Sequence, residues 1–116
     1  MTYTPDNLER LQRTFVADRS SLRWVQEHHL VVIDNGSREI DTLTYLAELE
    51  GDDRVTVIRI NDAFNYSRLI NIGAATGPDT DYLVLFNNDV VVHHRAWLGQ
   101  ALGWMTDPAV VAAGSK

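Results

Sequence analysis

Cysteine is absent from this chain of 116 residues, which excludes a disulfide framework and a thiolate-held metal and is compatible with the cytoplasm. Basic residues are scarce: ten Lys and Arg stand against sixteen Asp and Glu, for a net charge of −6. A chain that tracks nucleic-acid phosphates needs a basic face, so no nucleic-acid partner is expected. No long apolar segment or signal sequence is present, and the expectation is a soluble, cytoplasmic piece, with association to a membrane through a larger complex as the alternative. Repeats, low-complexity tracts and linkers are missing as well. What remains is 45% hydrophobic content in one domain over 1–116, enough for a core but short for a complete two-substrate enzyme.

Residues 81–92, DYLVLFNNDVVV, organise the rest. The run from Tyr82 to Phe86 is too short for a free-standing helix and rich in β-formers, so it predicts a strand buried on both faces of a sheet. Asn87, Asn88 and Asp89 then follow at its carboxyl end, where open parallel sheets bind ligands. A carboxylate flanked by amides suits a hydrated divalent cation or a sugar hydroxyl; the alternative is an Asn/Asp turn leaving a strand.

Upstream, Thr4, Pro5 and Asp6 mark a helix start, and Leu8, Leu11 and Phe15 predict an amphipathic helix over 5–17. A shorter helix carries Trp24 and Val25, and His28 and His29 at its end are expected to be solvated. Residues 30–33 predict the first strand, delivering Asp34, Asn35, Gly36 and Ser37. Asp34 could accept hydrogen bonds from a base or ribose, while Asn35 and Gly36 could form a turn with Ser37 capping the next helix. That helix carries Ile40, Leu43, Leu46 and Leu49 inward, and 54–60 alternates as a strand nearer an edge.

In 61–77, Asn65, Ser67 and Asn71 lie on or near a helix start, where free N–H groups and the helix dipole favour an anion such as a pyrophosphate. The alternative is a capped helix packed through Leu69 and Ile70. Gly73 within it predicts close packing or close approach of a ligand. A helix over 95–106, turned inward through Trp97, Leu98, Ala101, Leu102 and Met105, and a strand over 110–113 complete the pattern. Adjacent His93 and His94 point to opposite faces if extended and cannot chelate together. Strand and helix alternate, so the expected fold class is α/β, a three-layer α/β/α sandwich with a mainly parallel sheet.

Taken in order, VVIDNGS, FNYSRLINIGA, LFNNDVVV and VVAAGSK resemble the amino-terminal half of family 2 glycosyltransferases, inverting enzymes of the GT-A fold. The resemblance spans nearly the whole chain and implies an enzyme that transfers a sugar from a nucleotide-diphosphate donor, UDP-sugar or dTDP-sugar, to an acceptor glycan or lipid-linked sugar. It implies that Asp34 contacts the uracil or other base and its ribose, and Asn35 and Ser37 are counted with it among the nucleotide-binding residues. The region from Asn65 through Ser67 to Asn71 would lie along the diphosphate, and Gly73 is counted among the nucleotide-binding residues. Asn87, Asn88 and Asp89 would stand in the family's DxD motif, with Asn87 in place of its first Asp and Asp89 as the ligand for Mg2+ or Mn2+. A divalent ion there would neutralise the leaving diphosphate.

Two departures from the family bear on activity. Only TYT remains of the apolar strand with which members begin, and the chain stops before the carboxylate that deprotonates the acceptor, so the expectation is a domain truncated at both ends with no assignable general base. The missing strand would separate those ending at Asp34 and Asn87, leaving apolar edges that a homodimer is expected to close, the alternative being that the two flanking strands pair directly. The alternatives are a non-catalytic nucleotide-binding remnant or subunit, and a sugar nucleotidyltransferase. The latter should show a glycine-rich phosphate loop with a basic residue, and none is visible.

Overall fold

The structure, a computed structural model, describes residues 28–114. The helices expected over 5–17 and around Trp24 lie outside the described residues. Strand β1, Leu30–Asp34, is followed by helix α1, Ile40–Leu49, then strand β2, Val55–Arg59, helix α2, Tyr66–Thr76, and helix α3, Trp97–Met105. β1 and β2 pair in parallel, with Leu30 opposite Val55 and Asp34 opposite Arg59. Both strands therefore end at the same level, and the loops that follow them meet at the carboxyl end.

The pleat sends successive side chains of β1 to opposite faces, and each face finds a helix. Val32 is buried with Leu46 of α1, and Leu30, Tyr45, Leu49, Val55, Val57 and Phe86 pack around them. Val31 and Ile33 face α2, where a Cβ added to Gly73 would overlap Ile33 Cδ1. Glycine at that crossing lets the helix backbone sit directly on the strand, and Leu69 beside it is 1% exposed. The closely packed alternative expected for this helix, with Gly73 as its contact point, is what the structure shows. Helix, sheet and helix thus form three layers of an α/β fold.

Several local expectations are corrected. Residues 82–86 belong to no strand, and Leu83 and Leu85 are 64% and 60% exposed. A central parallel strand is buried only when neighbours pair with both its edges, and among the described residues the sheet has two strands, β1 and β2. Phe86 alone is seated, on the core and against the Trp97 ring, with centroids 5.6 Å apart. Residues 110–113 likewise form no strand.

Ser37 does not cap α1, whose N-cap is Glu39 with no side-chain bond, because the Ser37 hydroxyl is drawn to Asp34 instead. His29 is half-buried rather than solvated, its Nε2 lying 2.7 Å from Thr56 Oγ1 across the strand pair. Before β2, Asp52 grips both the backbone N–H and the guanidinium of Arg54, and that hydrogen bond raises the Arg54 pKa above its ordinary value.

Candidate functional site

Asp34 ends β1 with no exposed surface. A buried carboxylate needs partners for both oxygens, and this one has them. Oδ1 accepts from the Ser37 backbone N–H at 3.1 Å and from the Ser37 hydroxyl; Oδ2 accepts from Arg59 Nε at 3.0 Å. Arg59, half-exposed at the end of β2, also donates through Nη2 to the Ser37 carbonyl at 2.9 Å. The residue expected to meet the nucleoside is thus turned into the protein, where it shapes the loop that follows it.

Asn35 is the residue that loop presents. Its Nδ2 donates to the carbonyls of Ile60 at 2.8 Å and Asp62 at 3.0 Å. An amide nitrogen carries two hydrogens, so both are used and only the Oδ1 acceptor is left. Among the described residues nothing donates to it. Gly36 follows at φ 84, a left-handed turn that favours glycine, and a Cβ there would stand 3.7 Å from Asn61 Oδ1. The turns after β1 and β2 are therefore joined side chain to backbone.

The loop after β2 runs into α2. Asn65 caps that helix, its side-chain oxygen accepting from the Arg68 N–H at 3.0 Å, one of the donors a first turn cannot pair internally. Arg68 reaches back to Asp62 at 2.7 Å. Ser67 and Asn71 are exposed on the helix, whereas Gly73 is buried against β1 and turned away from solvent.

Asn87 and Asp89 are exposed and Asn88 is half-buried, in a turn where the Val90 N–H donates to the Asn87 carbonyl at 3.3 Å. Phe86 holds this turn to the core. Among the described residues no group of three or more His, Cys, Asp or Glu could hold a metal. His94 is occupied locally, its Nδ1 accepting from the Ala96 N–H at 3.2 Å. The donor set of Asp89 with amide oxygens fits a hard cation only where a ligand such as diphosphate supplies further oxygens.

Arg59 and Asp62 were missed in the sequence reading. The alternation of RVTVIRI places Arg59 on the same face as Val55 and Val57, and parallel register then sets it opposite Asp34; that pattern was available but needed the strand pairing to be interpretable.

Residues 2–116 match the profile of Glycosyl transferase family 2. A parallel strand pair with a helix on each face is consistent with an incomplete α/β domain of the GT-A type. The chain is also 40% identical over 88 residues to an uncharacterized protein of Sinorhizobium fredii (strain NBRC 101917 / NGR234), y4gI. That match covers 75% of this chain and 10% of the relative, so the chain spans only a small part of the curated relative's length. No solved structure matches the chain.

Proposed function

The chain belongs to glycosyl transferase family 2, and from that premise we propose that it binds a nucleotide-diphosphate sugar at the carboxyl ends of β1 and β2 and serves inverting transfer of the sugar to an acceptor hydroxyl. The observation that carries the proposal is the Asn35 amide, whose hydrogens are spent on Ile60 and Asp62 and whose oxygen is left as an oriented acceptor. Such an oxygen accepts from the imide N–H of uracil or thymine. It repels the ring nitrogen acceptor that cytosine presents in the corresponding position. UDP-sugars and dTDP-sugars are therefore the donors the geometry favours.

Asp34 takes a supporting part in this reading: it fixes Ser37 and faces Arg59, and it meets a nucleoside only if those bonds open. The exposed start of α2, with Asn65 and Ser67, offers N–H groups and the positive end of the helix dipole to the diphosphate, and Asn71 lies one turn further along. Asp89, with Asn87 and Asn88, would hold Mg2+ or Mn2+ together with diphosphate oxygens, and the ion when bound would offset the charge of the leaving group. The acceptor is a glycan or lipid-linked sugar, and a homodimer covers the apolar run at 82–85.

Titration calorimetry with UDP, dTDP and CDP tests the base assignment. UDP and dTDP should bind more tightly than CDP, and Asn35→Ala should abolish the difference; equal affinity for all three on the wild type would remove it. A second reading, a nucleotide-binding module without catalysis, is favoured by the exposure of Leu83 and Leu85, since Phe86 alone ties residues 82–86 before the Asn87 turn to the core. Sugar transfer or donor hydrolysis by the purified chain would exclude that second reading.

A further inference from the structure

Arg59 lies outside the set of residues assigned above, yet it ties both ends of the Asn35 loop. Its Nε donates to Asp34, the first residue of the loop, and its Nη2 to the carbonyl of Ser37, the last. The same Asp34 carboxylate accepts from the Ser37 N–H and hydroxyl. A closed ring of hydrogen bonds therefore runs from Asp34 to Arg59 to Ser37 and back. Asn35 and Gly36 are the residues this ring spans, and Gly36 is held in its left-handed turn within it.

The two acceptors stand in fixed positions, one a carboxylate oxygen and one a backbone carbonyl. A planar guanidinium offers diverging N–H groups in a rigid fork and meets both together; an ammonium keeps the charge but lacks that fork. Arg59 leaves 44% of its side chain exposed while Asp34 has none, so the pair joins a half-solvated guanidinium to a buried carboxylate, and a lysine there would keep the compensating charge while losing the second hold on the Ser37 carbonyl. The turn after β2 supplies the second hold on the loop, through the Ile60 and Asp62 carbonyls that orient the Asn35 amide.

We propose that Arg59 is a positioning residue for nucleobase selection: by clamping Asp34 and Ser37 it sets the turn from which Asn35 presents its acceptor oxygen to an imide N–H. The proposal rests on the base assignment made above for Asn35. Both Arg59 contacts go to the loop, to Asp34 and to the Ser37 carbonyl. Arg59 acts through the loop, so its loss should loosen discrimination among bases rather than diphosphate binding.

The test compares UDP and CDP affinities for wild type, Arg59→Lys and Arg59→Gln, each first checked for a cooperative melt. In the folded variants the UDP preference should fall by roughly tenfold, the scale of one well-placed hydrogen bond, while CDP affinity changes little. Preference retained in the folded variants, or UDP and CDP weakened in equal proportion, would overturn the positioning role and leave the Asn35 assignment standing. No UDP preference on the wild type would remove both. A ligand-independent measurement covers the case in which a variant melts early: the Asn35 side-chain amide hydrogens, followed by NMR at low temperature, should lose protection from exchange in Arg59→Lys. Unchanged protection would equally reject the clamp.

Discussion

Two apolar pentapeptides of similar composition meet different fates in this molecule. LVVID, strand β1, pairs along its length with β2 and has Val32, Ile33 and Asp34 buried; YLVLF, residues 82–86, pairs with no strand among the described residues and leaves Leu83 and Leu85 mostly exposed. The hydrophobic effect favours removing both from water. Burying a strand also buries its backbone N–H and C=O groups, and these need partners at the same moment. β1 has β2 beside it and a helix on each face. Residues 82–86 have only Phe86 on the core, so the apolar pattern is satisfied at one end and unsatisfied along the rest.

The largest expected effect tests that contrast directly. Leu69→Ala removes a side chain that is 1% exposed between α2 and β1 and should cost about 2–5 kcal/mol in denaturant unfolding. Leu83→Ala, at a position 64% exposed, should change stability by no more than about 0.5 kcal/mol. Comparable losses at the two sites would mean that 82–86 is packed in solution, as it would be within a homodimer. Sedimentation equilibrium on the same samples distinguishes that case from packing within one chain.

A smaller contrast sets the two site carboxylates against each other. Asp34→Ala leaves the Ser37 and Arg59 donors without their acceptor and should destabilise the chain by roughly 1–3 kcal/mol, with nucleotide binding lost along with the loop. Asp89→Ala removes an exposed carboxylate and should leave stability within about 0.5 kcal/mol. Its effect should instead appear in calorimetry as loss of the Mn2+ dependence of UDP binding. An unfolded Asp89→Ala, or an Asp34→Ala as stable as wild type, would reverse the division between supporting and exposed carboxylate.

What was legible in the sequence follows the same division. Periodicity located β1, α1, β2, α2 and α3, because each of those elements carries an apolar face and turn residues at its ends. The same reasoning placed a strand at 82–86, because local pattern reports the wish to be buried and says nothing of whether a neighbour is available to pair. The residue types at the site were visible for a similar reason: Asn, Asp, Ser and Gly after an apolar run. Their roles were not. Whether Asp34 faces solvent or Arg59 depends on register between strands separated by a helix, and the hydroxyl of Ser37 could equally have capped α1 until Asp34 claimed it.

The smallest expected effects concern helix starts, and they ask whether α3 unfolds together with the sheet. Asn65 begins α2 from an extended backbone, φ −145 and ψ 105, which lets its side chain reach the Arg68 N–H. Asn65→Ala should therefore lower global stability by about 1 kcal/mol. Ala96 begins α3 at φ −89 and ψ 11, with no side-chain cap, and its own N–H is given to His94. An Asn placed there lacks the extended backbone that capping uses, so Ala96→Asn should gain only a few tenths of a kcal/mol at most. Helix α3 is also joined to the core chiefly through Trp97 and Phe86, and any gain should appear as a small increase in helical circular dichroism with the unfolding midpoint unchanged. A midpoint raised by Ala96→Asn as far as Asn65→Ala lowers it would show that α3 and the strand pair unfold as one cooperative unit, and the contrast between the two halves would then lie in their exposed surface alone and not in their stability.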